Sequence, residues 1–316
     1  MATHSQFPEE TSDEGEFERQ DDAFRAWVSD DESTPYPVEA GRYHLYVSLA
    51  CPWAHRTLIA RALKGLESVI GVTVVDPVRD ERGWAFRDGP GCSRDPVNGF
   101  AFLSEAYHAT QPGYRGRVTV PVLWDTRTRR IVNNSEDDLC RMFDGVFARL
   151  GHGGDTVLFP LEVEAEHVRL AGEIYERVNN GVYRAGFATR QAAYERACRG
   201  VFAALDAYEE RLASRRFLLG ARPVEADWRM FCTLVRFDAV YHGHFKCNVR
   251  RIADYPALRG YLCDLYQQPG IAATVNLDHI KRHYYMTHDE INPTRIVPLG
   301  PELDFARPHG RARLGA

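Results

Sequence analysis

Between residues 42 and 150 the chain alternates short apolar runs with amphipathic ones, and each period names an element. Residues 43–48 read as a strand, 52–64 as a helix, 69–75, 120–124 and 130–132 as further strands, and 135–147 as a second helix. In the helix that opens at Pro52, the apolar residues Leu58, Ile59, Ala62, Leu63 and Leu66 recur at the spacing of one buried face. The connection over 76–117 is too long for a plain loop in a compact domain, even with a short helix over 102–109, and is expected to carry function. Beyond Pro160 the period is helical, with helices expected over 161–179, 191–213, 226–240, 256–267 and 278–285. Residues 291–316, punctuated by Pro293, Pro298, Pro301 and Pro308, read as an extended tail. Before residue 38, Glu, Asp, Ser, Thr and Gln prevail, and only Phe7, Phe17, Phe24 and Trp27 offer docking points, the pattern of a mostly mobile extension.

The order β-α-β then β-β-α is the thioredoxin-like plan, a small sheet covered by helices. The expected fold class is therefore an α/β thioredoxin-like N-terminal domain plus an all-α C-terminal domain. The boundaries are an acidic extension over 1–40, a thioredoxin-like thiol-binding domain over 41–150 with the inserted loop 76–117, a helical domain over 160–290 and a tail over 291–316.

Composition narrows the classes. A length of 316 residues suffices for two ordinary domains, and a net charge of -5 gives no electrostatic footprint for nucleic acid or an anionic membrane. The basic tail residues Arg307, Arg311 and Arg313 read as solvated. No apolar run approaches a membrane span and the first 31 residues are acidic and polar, so the expectation is a soluble, unexported, cytoplasmic protein. Seven cysteines, an odd number without regular spacing, fit a reducing compartment.

The chemistry starts at Cys51-Pro52-Trp53-Ala54-His55-Arg56. Proline suits the first helical position because its missing N–H would be unpaired there, which puts Cys51 at the N-cap. Its sulfur would then face unpaired backbone N–H groups and the positive end of the helix dipole, both of which favour the thiolate. Ala54 stands where a dithiol motif would have its second cysteine, so Cys51 must work alone or with a small thiol. Pro121 opens a strand where thioredoxin-like domains use a cis proline. There the backbone of Val120, freed from the ladder, would pair with a bound thiol peptide.

Five stretches in order resemble the glutathionyl-hydroquinone reductases, the Xi class of glutathione transferases. They are the Cys51 motif, residues 118–125 around Val120-Pro121, residues 179–188 around Tyr183, residues 236–248, and residues 279–293 around Tyr284-Tyr285. The resemblance runs from about Arg42 to Pro301. It implies the glutathione transferase fold, a homodimer, and an active cysteine that removes glutathione from a glutathionyl-hydroquinone through a mixed disulfide resolved by a second thiol. No bound metal or redox cofactor is needed, and glutathione or another low-molecular-weight thiol is the cosubstrate. The resemblance also makes Tyr183 and one of Tyr284 and Tyr285 the proton donor or orienting pair; spacing favours Tyr284, with Tyr285 a possible contact to the aromatic substrate. It lays Trp84 against the thiol, and Arg117 would pair with the thiol's glycine-end carboxylate in a forked, charge-assisted contact.

One departure bears on the thiol. Related folds carry Glu-Ser at the start of the helix after the last strand, where backbone N–H groups and the serine hydroxyl hold the γ-glutamyl carboxylate. This chain has Ser135-Glu136, which puts a carboxylate where an anion should bind. Either the site tolerates the swap, with Glu136 turned away or bound to the ammonium, or the physiological thiol is not glutathione. A second departure is Val224, where the related helix has a Ser or Thr N-cap, a loss of about 0.5–2 kcal/mol. His242, His244 and Cys247 match no common zinc spacing and read as structural. Two other functions compete with the reductase: a conjugating transferase, which normally uses Tyr or Ser rather than Cys, and a thiol- or quinone-binding scaffold without turnover.

Overall fold

The computed structural model describes residues 10–31, 33–154 and 156–315. Phe7, one of the expected docking residues, lies outside them. The chain divides into two compact units, one holding the described part of Met1–Arg19 with Leu158–Ala272 and His288–Ala316, the other holding Gln20–Val157 with Ala273–Thr287.

The second unit has the thioredoxin-like plan. Strands β1 (Tyr43–Val47), β2 (Gly71–Val74), β3 (Val122–Asp125) and β4 (Arg130–Asn133) form one sheet in the order β2-β1-β3-β4. The β1–β2 pair is parallel and the other two are antiparallel, with a register shift between Leu123 and Trp124. Helices α1 (Pro52–Leu63) and α3 (Glu136–Asp144) pack on each other, and the short α2 (Ser104–Thr110) lies against β4. Helix α1 ends before Gly65, whose φ of +60° and close approach to the backbone of His152 leave no room for a Cβ.

The helix expected to close the helical domain, α9 (Leu277–Thr287), instead belongs to the sheet's unit. The reason is a polar stripe at helical spacing. His279 Nε2 donates to the Pro90 carbonyl at 2.6 Å, His283 Nδ1 donates to Pro77 at 2.7 Å, and Thr287 Oγ1 accepts from the Arg79 amide at 3.2 Å. The stripe fastens α9 to the long loop, whose own carbonyls would otherwise lack partners. Asp95 orders the loop from within, accepting from Tyr46 and from the amides of Val97, Asn98 and Phe100.

The extension expected to be mobile is hydrogen-bonded at several points along its described residues. In the sheet's unit, Ala26 N–H donates to Val132, Asn134 N–H to Phe24, and Arg25 forms a forked ion pair with Asp138.

The helical unit contains α4 (Glu164–Ile174), α5 (Asn180–Gly186), α6 (Gln191–Ser214), α7 (Glu225–Arg236) and α8 (Pro256–Tyr266), with π-helical turns at Tyr175–Asn179 and Phe237–Tyr241. Val224 cannot cap α7 with its side chain, but Asp227 supplies the other half of a capping box. It accepts from the Val224 amide at 2.8 Å, from Leu218 at 2.9 Å and from the Tyr261 hydroxyl at 2.7 Å. Burial pushes the Asp227 carboxyl up to about 6 against those bonds. The tail arginines are not all solvated. Arg311 is 4% exposed, and its guanidinium donates to the carbonyls of Leu212, Arg215 and Arg216 at the end of α6 and to Ala257. These are the groups a helix leaves unpaired at its C-terminus.

Candidate active site

Cys51 is the N-cap of α1, with Pro52 in the first turn. Its extended backbone (φ -73°, ψ 121°) turns the sulfur back over the helix start, where Sγ accepts from the Ala54 amide at 3.5 Å. The thiol also lies 3.6 Å from the Val120 carbonyl as donor. Cys51 is 9% exposed, so it is nearly enclosed but not sealed.

Val120 faces the sulfur because the Val120–Pro121 bond is cis and β3 begins only at Val122, leaving Val120 outside the ladder. Sequence reasoning missed what holds this segment. The Tyr107 hydroxyl donates to the Thr119 carbonyl at 2.9 Å and accepts from the Thr119 amide at 3.1 Å, while Asn134 Nδ2 donates to Thr119 Oγ1 at 3.1 Å. Burial raises the Tyr107 pKa, so it stays a neutral hydroxyl able to do both.

The other residues of the motif are held from elsewhere in the same unit. His55 is fully buried and its Nε2 pairs with Thr274 Oγ1 at 2.7 Å. Arg56, also buried, reaches the start of α3, where it pairs with Glu136 at 3.2 Å and with Asp137.

At that helix start Ser135 is the N-cap, but its hydroxyl makes no cap bond and its own amide donates to Asn133 Oδ1 at 2.7 Å. Glu136, Asp137 and Asp138 crowd the first turn. Burial, then the neighbouring Asp137, push the Glu136 carboxyl up to about 7, with Arg56 pulling the other way. The carboxyl expected to oppose an incoming anion is therefore tied to a guanidinium and held above the ordinary carboxylate range by its burial.

Trp84 is buried, stacked on His283 (5.0 Å, 21°), with the Arg79 guanidinium 5.0 Å from its ring. Arg117 is half-buried, and its carbonyl accepts from the Tyr114 hydroxyl at 3.0 Å. Tyr284 and Tyr285 lie on α9, Tyr284 fully buried, in the unit that holds Cys51. Tyr183 lies on α5 of the helical unit, half-buried among Phe187, Tyr241 and Phe245. Gly186 allows that packing, since a Cβ there would come 2.2 Å from the Phe245 ring. His244, weighed as a metal ligand, pairs with His288 at 3.2 Å, and burial pushes it down to about 4. The signal that could have found α9's place was its His-x-x-x-His-x-x-x-Thr spacing. Nothing comparable marked Tyr107.

Known proteins resemble this chain over most of its length. The glutathione S-transferase N-terminal domain model matches residues 50–145 and the C-terminal domain model residues 191–262. The chain is 49% identical to the glutathionyl-hydroquinone reductase YqjG of Escherichia coli over 98% of this chain and 96% of that one. It is 48% identical to the glutathionyl-hydroquinone reductase PcpF of Sphingobium chlorophenolicum over 91% and 90% of the two. The crystal structure of the Xi glutathione transferase of Phanerochaete chrysosporium superposes with a TM-score of 0.91 at 45% identity, covering 94% of this chain and 96% of that one. The glutathione-bound structure of YqjG gives 0.88 at 49% identity over 91% and 96%. The chain thus belongs to the glutathione transferase family and, within it, to the Xi-class glutathionyl-hydroquinone reductases.

Proposed function

We propose that the protein is a thiol-dependent reductase that removes glutathione, or a related low-molecular-weight thiol, from thiol-conjugated hydroquinones, with Cys51 as nucleophile. The observation that carries this reading is the single sulfur at the start of α1, touching the Ala54 amide and facing the carbonyl that precedes cis Pro121. A helix N-terminus favours the thiolate, and the thiolate is the nucleophile. The Cys51 thiolate attacks the conjugate's sulfur. The electrons of the carbon–sulfur bond go to the aryl carbon, which takes a proton, and a Cys51–thiol mixed disulfide remains. A second thiolate attacks that disulfide, releases the symmetric disulfide and regenerates Cys51.

Tyr183 and Tyr284 are assigned as proton donor and orienting group, with Tyr285 at the aromatic ring. Trp84, Arg117, the Val120 backbone, Ser135 and Glu136 are assigned to the thiol. Two relatives are named as glutathionyl-hydroquinone reductases and one of them was solved with glutathione, which supports glutathione as the thiol. The Glu136–Arg56 pair favours a test of that point. If glutathione resolves a preformed Cys51 mixed disulfide as fast as other reduced thiols, it is the cosubstrate; slower resolution marks another thiol. The resemblance implies the homodimer and the composition the cytoplasmic location, and sedimentation and cell fractionation test them. No described helix is long and apolar enough to cross a membrane.

Cys51→Ser decides the mechanism. Release of hydroquinone from the conjugate should fall at least a thousandfold, and intact mass should show the thiol adduct on the wild type alone. Persistent release in Cys51→Ser sinks the mechanism, whereas conjugation or simple binding that survives the substitution while release is absent from both proteins favours the transferase or the scaffold.

A further inference from the structure

The helical unit carries a feature that the assignment of Tyr183 leaves unexplained. Residues 10–19, written in the polar code of a mobile extension, form a small hairpin fastened to this unit. Thr11 and Phe17 pair antiparallel, the Glu18 amide donates to Glu10 at 2.8 Å, and Gly15 turns the hairpin with φ +78°. A Cβ on Gly15 would meet Thr189 Oγ1 at 2.7 Å, and the Thr189 amide donates to the Gly15 carbonyl at 3.1 Å, so the turn is seated on the residues before α6. Phe17 is 9% exposed and packs on Tyr183 (6.2 Å) and Phe187 (5.5 Å). Arg19 ends the strap. Its Nε donates to Asn180 Oδ1 at 2.9 Å, at the start of α5, and its guanidinium carbon sits 5.1 Å from the Tyr183 ring centroid and 5.3 Å from that of Phe17.

We propose that this strap is a working part of the enzyme, and that Arg19 is a positioning residue that orients Tyr183 and makes its hydroxyl a better proton donor. The inference rests on the role assigned above to Tyr183. Three features of the contact argue for it. A guanidinium is planar and always charged, so it stacks on an aromatic ring as an ammonium cannot. The Asn180 bond fixes its plane, and Asn180 lies one helical turn from Tyr183 on the same helix, so cation and ring are held by one element. The attraction between a cation and a π face grows as the ring gains electron density, so it is stronger for the phenolate left after proton transfer than for the phenol.

Other charged and titratable groups lie near this ring. Tyr241 is 6.1 Å away across the cluster, and on α5 itself Arg184 is turned to Glu176 at 3.0 Å. His244 and His288 touch Phe245, and His288 also touches Phe187; burial holds His244 neutral.

In the step this serves, the carbon–sulfur bond breaks as the sulfur joins Cys51. Its electron pair goes to the aryl carbon, and the Tyr183 hydroxyl gives that carbon its proton. The resulting phenolate is reprotonated from water before the next turnover. Arg19 makes no bond to the substrate.

The test compares Arg19→Met, which keeps length and loses charge, with Arg19→Lys. Tyr183 is titrated by absorbance at 295 nm as the difference between each protein and its Tyr183→Phe counterpart, a measurement that needs no turnover. In Arg19→Met the midpoint should rise by roughly half to one and a half pH units, the range a stacked cation supplies. The alkaline limb of the rate profile should rise with it, and kcat for release should fall about two- to thirtyfold with KM little changed. Arg19→Lys should recover part of both. An unchanged Tyr183 midpoint in Arg19→Met overturns the proposal. If Arg19→Met frees the strap, seen as faster hydrogen exchange over residues 10–19, Arg19→Lys decides. A docked strap with a restored midpoint supports the role, and a docked strap without it overturns it. Should Cys51→Ser retain release activity, the reaction reading falls while the titration still reports the Arg19–Tyr183 coupling.

Discussion

Replacing Glu136 by glutamine should change how the protein's stability depends on pH, and the sign follows from the site. Glu136 sits in the first turn of α3 beside Asp137, with Arg56 at 3.2 Å, and burial pushes its carboxyl from 4.5 up to about 7. The folded chain therefore holds this proton more tightly than the unfolded chain does. Stability from this group is greatest below the unfolded value. It falls as pH rises from about 4.5 and levels off above the folded value of about 7. Between pH 5 and pH 8 that fall is on the order of 2 kcal/mol. Glutamine keeps the shape, carries no charge at any pH and leaves Arg56 paired with Asp137. Urea unfolding of both proteins at pH 5, 6, 7 and 8 isolates the contribution, because other raised carboxyls such as Asp227 titrate alike in the two. The wild type should lose ~2 kcal/mol relative to Glu136→Gln across the range. Parallel stability curves would refute the reasoning and mean that Arg56 holds the carboxylate ionised throughout.

Two further outcomes test other parts of the argument. Tyr107→Phe removes both bonds to the Thr119 backbone. It should cost about 1–3 kcal/mol in urea unfolding and weaken binding of the thiol, read as a higher KM, while a change confined to stability would show that Thr119 does not position Val120. Arg311→Met strips the carbonyl partners from the end of α6 and should cost about 2–4 kcal/mol; a loss under half of that would mean water replaces the guanidinium.

Local chemistry fixed much of this protein. Proline in the first turn set Cys51 as the N-cap, and the run 52–64 became α1 within a residue at its C-terminal end, because caps and apolar period are properties of neighbouring residues. The strand and helix order was legible for the same reason. Distant partners were not legible. Nothing near Arg311 foretold the end of α6, nothing near Val224 showed that Asp227 would complete its cap, and the acidic segment before Arg42 gave no sign that Phe17 and Arg19 would lie on Tyr183. Tertiary packing decided these points, since a buried guanidinium or carboxyl takes whatever partner the fold brings near. The same holds for α9: its polar spacing was written in the chain, but only folding chose the loop carbonyls it would meet and thereby joined Tyr284 to the unit of Cys51.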